Sequence, residues 1–86
     1  MKRIYKYKLH IKDFQFLELP KGYEILKVDS QFYEIFIWAL VDPEAKTEQI
    51  ELEVFGTGNP IDNFNRKYLG TAFIEQSVCH VFQRIN

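Results

Sequence analysis

Eighty-six residues with a formal net charge of −1 are expected to make one domain, and they lack the marked basicity of a duplex nucleic-acid binder. Eight Phe, five Tyr and one Trp, against only four Gly and three Pro, supply rings to bury and argue against disorder. The single cysteine, Cys79, rules out an intramolecular disulfide, and no apolar run approaches a membrane span, so a protein of a reducing, cytoplasmic compartment is expected.

In chain order, Arg3 to Lys12 alternates cleanly, with Tyr5, Tyr7, Leu9 and Ile11 on one face and Lys6, Lys8, His10 and Lys12 on the other. This is the pattern of a half-buried strand. In Asp13 to Pro20, Phe14 and Phe16 share a parity that Leu17 and Leu19 oppose, which predicts a bulge or bend near Phe16-Leu17. Pro20-Lys21-Gly22 reads as a turn, Tyr23 to Val28 as a third strand, and Asp29-Ser30-Gln31 as a short polar connection.

Phe32 to Val41 is apolar at both parities and rich in aromatic and β-branched residues, so it is expected to be the central, covered strand. Asp42-Pro43 ends it. The stretch 42–47 reads as a loop with room for one helical turn. Glu48 to Phe55 alternates again, with Ile50, Leu52 and Val54 inward. Gly56 to Lys67 is irregular and long for a hairpin connection, a length often associated with function. Tyr68 to Ile74 is a sixth strand with a bulge expected at Gly70, and Val78 to Ile85 a seventh. The fold class is therefore all-β: about seven antiparallel strands in a compact sandwich or a partly open barrel, with an edge strand available for homo-oligomer formation.

Charge is unevenly spread. Lys2, Arg3, Lys6, Lys8 and Lys12 crowd the first twelve residues, whereas Asp42, Glu44, Glu48, Glu51 and Glu53 face Lys46 alone in 42–53. Either oppositely charged strands lie near one another, or two faces are simply solvated, or the first strand is a basic ribbon open to phosphate. Cys79 and His80 are adjacent, so on a strand they point to opposite faces and cannot share an ion. With His10 the only other histidine, no metal site is expected. His80, on the parity of Val78 and Phe82, is expected to be buried and to donate to a backbone carbonyl.

Gly56-Thr57-Gly58-Asn59-Pro60 follows a strand but lacks the third glycine and helix of a dinucleotide fingerprint. It reads either as an ordinary turn or as a ligand-contacting nest of backbone N–H groups. No nucleophile elbow, metal helix or P-loop is present, so neither enzyme activity nor a cofactor is expected.

Trp38-Ala39-Leu40-Val41-Asp42-Pro43-Glu44-Ala45, Phe55-Gly56-Thr57-Gly58-Asn59-Pro60-Ile61, Tyr68-Leu69-Gly70-Thr71 and His80-Val81-Phe82 resemble a family of short uncharacterised proteins of bacteriophage and prophage genomes. That family usually has His at the position of Asn59. The resemblance implies an accessory protein of phage type, acting in the host cytoplasm as a non-catalytic binder that inhibits a component of host defence. Its partner would be a host protein or a small nucleotide signal. For a nucleotide, Gly56, Thr57, Gly58 and Asn59 would offer backbone donors, Arg66 or Lys67 would hold phosphate, and Phe64 or Tyr68 would stack a base. The alternatives are a single-stranded nucleic-acid-binding module of open-barrel type, or a virion-associated structural protein.

Overall fold

Alternating apolar positions, rarely interrupted by glycine or proline, produce seven strands in the computed structural model, which describes residues 1–85. They are β1 (Arg3–Leu9), β2 (Phe14–Pro20), β3 (Glu24–Gln31), β4 (Glu34–Val41), β5 (Thr47–Gly56), β6 (Arg66–Ile74) and β7 (Ser77–Arg84). One sheet has the order β1-β4-β3 and the other β2-β5-β7-β6, with every pairing antiparallel. Of the two architectures left open, the sandwich forms. The sheets do not close into a barrel.

The strand expected at the centre is the middle of the three-stranded sheet. Its inward side chains Ile35, Ile37, Ala39 and Val41 are fully buried, and they meet Ile50, Leu52 and Val54 of β5 and Val81 of β7. A Leu, Ile or Val buried so completely is worth about 1.5–3 kcal/mol. The opposite face of β4 carries Phe36, Trp38 and Leu40 and is covered differently. Lys6 from β1 lies over the Phe36 ring, 4.5 Å from its centroid, while Trp38 and Leu40 stay half-exposed.

Two close contacts fix the layers against each other. Gly70 lets β6 approach β3 so nearly that a Cβ there would lie 2.8 Å from the Cβ of Val28. The bulge expected at this glycine is present, as a register shift between Tyr68 and Gly70. At the opposite edge, buried Gln15 clasps the chain as it passes from β1 to β2. Its amide nitrogen donates to the His10 carbonyl (2.7 Å), and its oxygen accepts from the His10 N–H (2.9 Å). The side chain replaces a strand neighbour for a backbone that has none.

Several expectations need correction. Phe32 and Tyr33 do not begin β4; they form a two-residue hairpin turn with φ of 54° and 63°, and Asp29-Ser30-Gln31 belongs to β3. Composition suggested the reverse, because polar residues read as loop and rings as strand. No bulge occurs at Phe16-Leu17, since β2 pairs with β5 without a break from Phe14↔Glu53 to Pro20↔Thr47. Both faces of β2 are apolar because both do something. A bulge that was not expected lies instead in β3, between Ile25 and Lys27. Ile11 lies beyond the end of β1 and is exposed. The oppositely charged strands do not pair: β1 and β5 sit in different sheets, and the β1 lysines are answered by Glu34 (3.8 Å from Lys8) and Gln31 (2.7 Å from Lys6).

Topology also explains the long connection. β5 and β6 both run antiparallel to β7, which lies between them, so they are parallel to one another. Residues 57–65 must therefore return the length of the sheet before β6 can start. They do so as a strap across its outer face, where Asp62 meets Arg66 and Phe64 meets Arg84.

Candidate binding face

Strand alternation sends Phe14, Phe16 and Glu18 of β2, Glu51, Glu53 and Phe55 of β5, His80, Phe82 and Arg84 of β7, and Arg66, Tyr68 and Thr71 of β6 to the outer face of the four-stranded sheet. These side chains form an unbroken ladder. Phe16 and Phe14 meet edge to face, with ring centroids 5.1 Å apart. The Arg84 guanidinium lies 5.6 Å from Phe14 and 3.8 Å from Phe64 of the strap. Phe64 leads to Arg66 (5.8 Å), Arg66 to Phe55 (5.1 Å), Phe55 to Phe82 (5.8 Å) and Phe82 to Tyr68 (5.4 Å). Guanidinium groups over ring faces gain from the ring quadrupole, about 0.5–2 kcal/mol each.

A polar chain continues from the last ring. The Tyr68 hydroxyl bonds to that of Thr71, Thr71 to His80 Nδ1 (3.1 Å), and His80 Nε2 to the Thr57 hydroxyl (2.7 Å). His80 is thus half-exposed on a sheet surface, with hydroxyls at both ring nitrogens, rather than buried against a backbone carbonyl. Its parity with Val78 and Phe82 is as expected.

Arg66 spends its charge within the molecule. Its Nε donates to Glu53 Oε1 (2.6 Å), its Nη1 to the Asp62 carbonyl (2.7 Å), and its Nη2 to the Asp62 carboxylate. The carboxylates at Glu53 and Asp62 push the Arg66 pKa up, and the Arg66 hydrogen bond holds the Asp62 carboxyl below its usual range. Arg84 is less occupied. Its Nε lies 3.4 Å from Glu53 Oε1 and, among the described residues, is buried without a hydrogen-bond partner.

The eight residues expected to contact a ligand fall in three places. Phe64, Arg66 and Tyr68 are on the ladder. Gly56, Thr57 and Asn59 line a cavity of about 400 Å³ at one pole of the sandwich, opposite Ile11, Lys12 and Asp13, with exposed Gly58 at the turn between them. Lys67 takes the other parity of β6, pairing with Gln83, and does not join Arg66 and Tyr68. Phe14, Phe16, Phe55, Phe82 and Arg84 belong to the ladder although the loop alone did not suggest them. For Phe14, Phe16 and Phe82 the signal is the second apolar parity of β2 and β7, whereas Phe55 and Arg84 carry none.

Buried Cys79 also borders this cavity, and burial raises its thiol pKa. Among the described residues no three His, Cys, Asp or Glu side chains gather to hold a metal, and no helix is long and apolar enough to cross a membrane.

Fold and face together define a small open β-sandwich with one outer surface paved by rings and guanidinium groups. The chain belongs to the family DUF7352, a domain of unknown function, whose model matches residues 1–86. No curated protein and no solved structure matches it.

Proposed function

We propose that this protein is a non-catalytic binding module that occludes a partner protein with the ring-paved face of its four-stranded sheet. The observation that carries this is the continuous ladder from Phe16 to Tyr68, with Phe16 and Tyr68 each 55% exposed and Phe64 51%. Contiguous exposed apolar surface marks interaction sites, and Phe, Tyr and Arg are the residues enriched there. Charge favours protein over nucleic acid. Glu53 and Asp62 absorb Arg66, and Glu18 and Glu51 form no ion pair among the described residues, so the face is acidic and repels a phosphate backbone. The complementary partner has an apolar centre and a basic rim. With the resemblance to phage and prophage proteins, that partner is a host protein, and a component of host defence in the cytoplasm is the proposed target.

The test is retention of a host partner by the immobilised protein, followed by titration of that partner in purified form. Phe16→Ser and Tyr68→Ser, both at exposed positions, should each weaken binding about tenfold or more. Binding unchanged by both would refute the reading.

A second reading rests on the cavity at the pole of the sandwich. Lys12, Thr57 and Asn59 around about 400 Å³ suit a small nucleotide signal. Calorimetric titration with cyclic di- and trinucleotides decides it: heat abolished by Lys12→Ala supports it, and no heat with any of them ends it.

A further inference from the structure

Each sheet ends in two edge strands, and the four edges of this sandwich are not alike. The edge of β1 carries Arg3, Lys6 and Lys8. That of β3 is interrupted by the bulge between Ile25 and Lys27. That of β6 is bulged at Gly70, where it closes on Val28 of β3. Lysines and bulges are devices that keep an edge from accepting another strand. β2 has neither: it runs from Phe14 to Pro20 without a register shift, and Glu18 is its one charge.

Backbone direction says which groups β2 leaves open. The Val54 N–H donates to the Asp13 carbonyl (3.1 Å) and the Lys21 N–H to that of Lys46 (2.8 Å), both in the register of the β2–β5 ladder. Odd-numbered residues therefore bond to β5, because bonded and non-bonded pairs alternate in an antiparallel ladder. Phe14, Phe16, Glu18 and Pro20 turn their backbone groups the other way, where no strand meets them among the described residues. Pro20 agrees with this parity, since the N–H it lacks would point to the open edge.

We infer that the β2 edge pairs with the β2 edge of a second copy, antiparallel across a two-fold axis at Phe16, so that the two four-stranded sheets become one. Register is the argument, because a two-fold axis brings one edge onto itself. With the axis at Phe16, that residue faces its own copy and Phe14 faces Glu18 of the second copy, so every N–H and C=O of the three finds a partner. An axis at Leu17 sets Phe14 against Pro20, which has no N–H to give. Axes nearer either end carry Phe14 or Glu18 beyond the facing strand. The chosen register also holds the two Glu18 side chains apart and sets the Phe16 rings side by side, joining the two ring ladders. One strand pair is a small contact, at the low end for specific association, so the dimer dissociates on dilution.

Sedimentation equilibrium should show a dimer at high concentration. Glu18→Pro removes an N–H that the fold does not use, and should weaken the dimer at least tenfold with unchanged circular dichroism. Phe16→Lys and Phe16→Glu, at a position 55% exposed, should each be monomeric, and an equimolar mixture of the two should associate again. That rescue follows from an axis at Phe16, which sets the two substituted positions opposite one another. Tyr68→Ser, which weakens partner binding, should leave the dimer intact, so this inference and the partner-binding reading fail separately. A monomer at about 1 mM would overturn it and leave the edge to a strand of another protein. A dimer indifferent to Glu18→Pro or Phe16→Lys, or a mixture that stays monomeric, would overturn it as well.

Discussion

Phe32 and Tyr33 hold left-handed backbone conformations at the tip of the β3–β4 hairpin, with 78% and 72% of their surfaces exposed. A two-residue hairpin turn with both φ positive favours Asn-Gly, because a larger side chain crowds its own carbonyl at about 1–2 kcal/mol per residue. Neither ring recovers that cost by burial. Replacing the pair with Phe32→Asn and Tyr33→Gly should therefore stabilise the fold by about 1–3 kcal/mol, seen as a higher urea midpoint with an unchanged slope. A midpoint that falls would mean the rings contribute contacts that outweigh the strain.

At the scale of the element, β6 and β3 depend on the absence of one Cβ. Gly70→Ala would set a methyl group 2.8 Å from the Val28 Cβ, and Val28 is buried. Overpacking of this kind costs about 1–3 kcal/mol. Val28→Ala leaves that Cβ in place, so relief comes only through the space its lost methyls free for the strands to shift. The double variant should therefore recover part of the loss, as a coupling term in a double-mutant cycle of urea midpoints.

The same elements show what the sequence could reveal. β1 and β5 were legible because one parity is apolar and the other charged, so inside and outside could be told apart. β2 was misread because Phe14 and Phe16 oppose Leu17 and Leu19. Alternation identifies two faces but does not say that both are used, and a break in phase was the simpler reading. The Gly70 bulge was visible as a glycine within a strand, whereas the β3 bulge at Leu26 carries no such mark. The loop at 56–67 was recognised as unusual. Its reason was out of reach, because only the order β5-β7-β6 shows that the chain must travel back across the sheet.

For the whole molecule, acid stability follows from carboxylates held by neighbours. Arg66 lowers the Asp62 pKa below 3.8, and the Ser30 N–H, with Lys27, lowers that of Asp29. A carboxyl whose pKa is lower folded than unfolded stabilises above the unfolded pKa, and the gain is lost as pH falls through the folded one. Thermal midpoints should thus be level near neutrality and drop below about pH 4. Asp62→Asn should lower the midpoint at neutral pH and make the acid drop shallower. Because Asp62 is exposed, added salt should shrink the difference.

The strap has a consequence for how the chain can be divided. β6 and β7 are bonded to each other as a hairpin, and β7 is held to β5 by its own ladder, so residues 57–65 carry the covalent link but none of the strand pairing. Severed between Asn59 and Asn63, the polypeptide becomes a five-stranded piece and a two-stranded piece with matching edges. The smaller piece then acts as a removable part whose return completes the ring-paved surface, so fragments fused to two other proteins would report on their meeting.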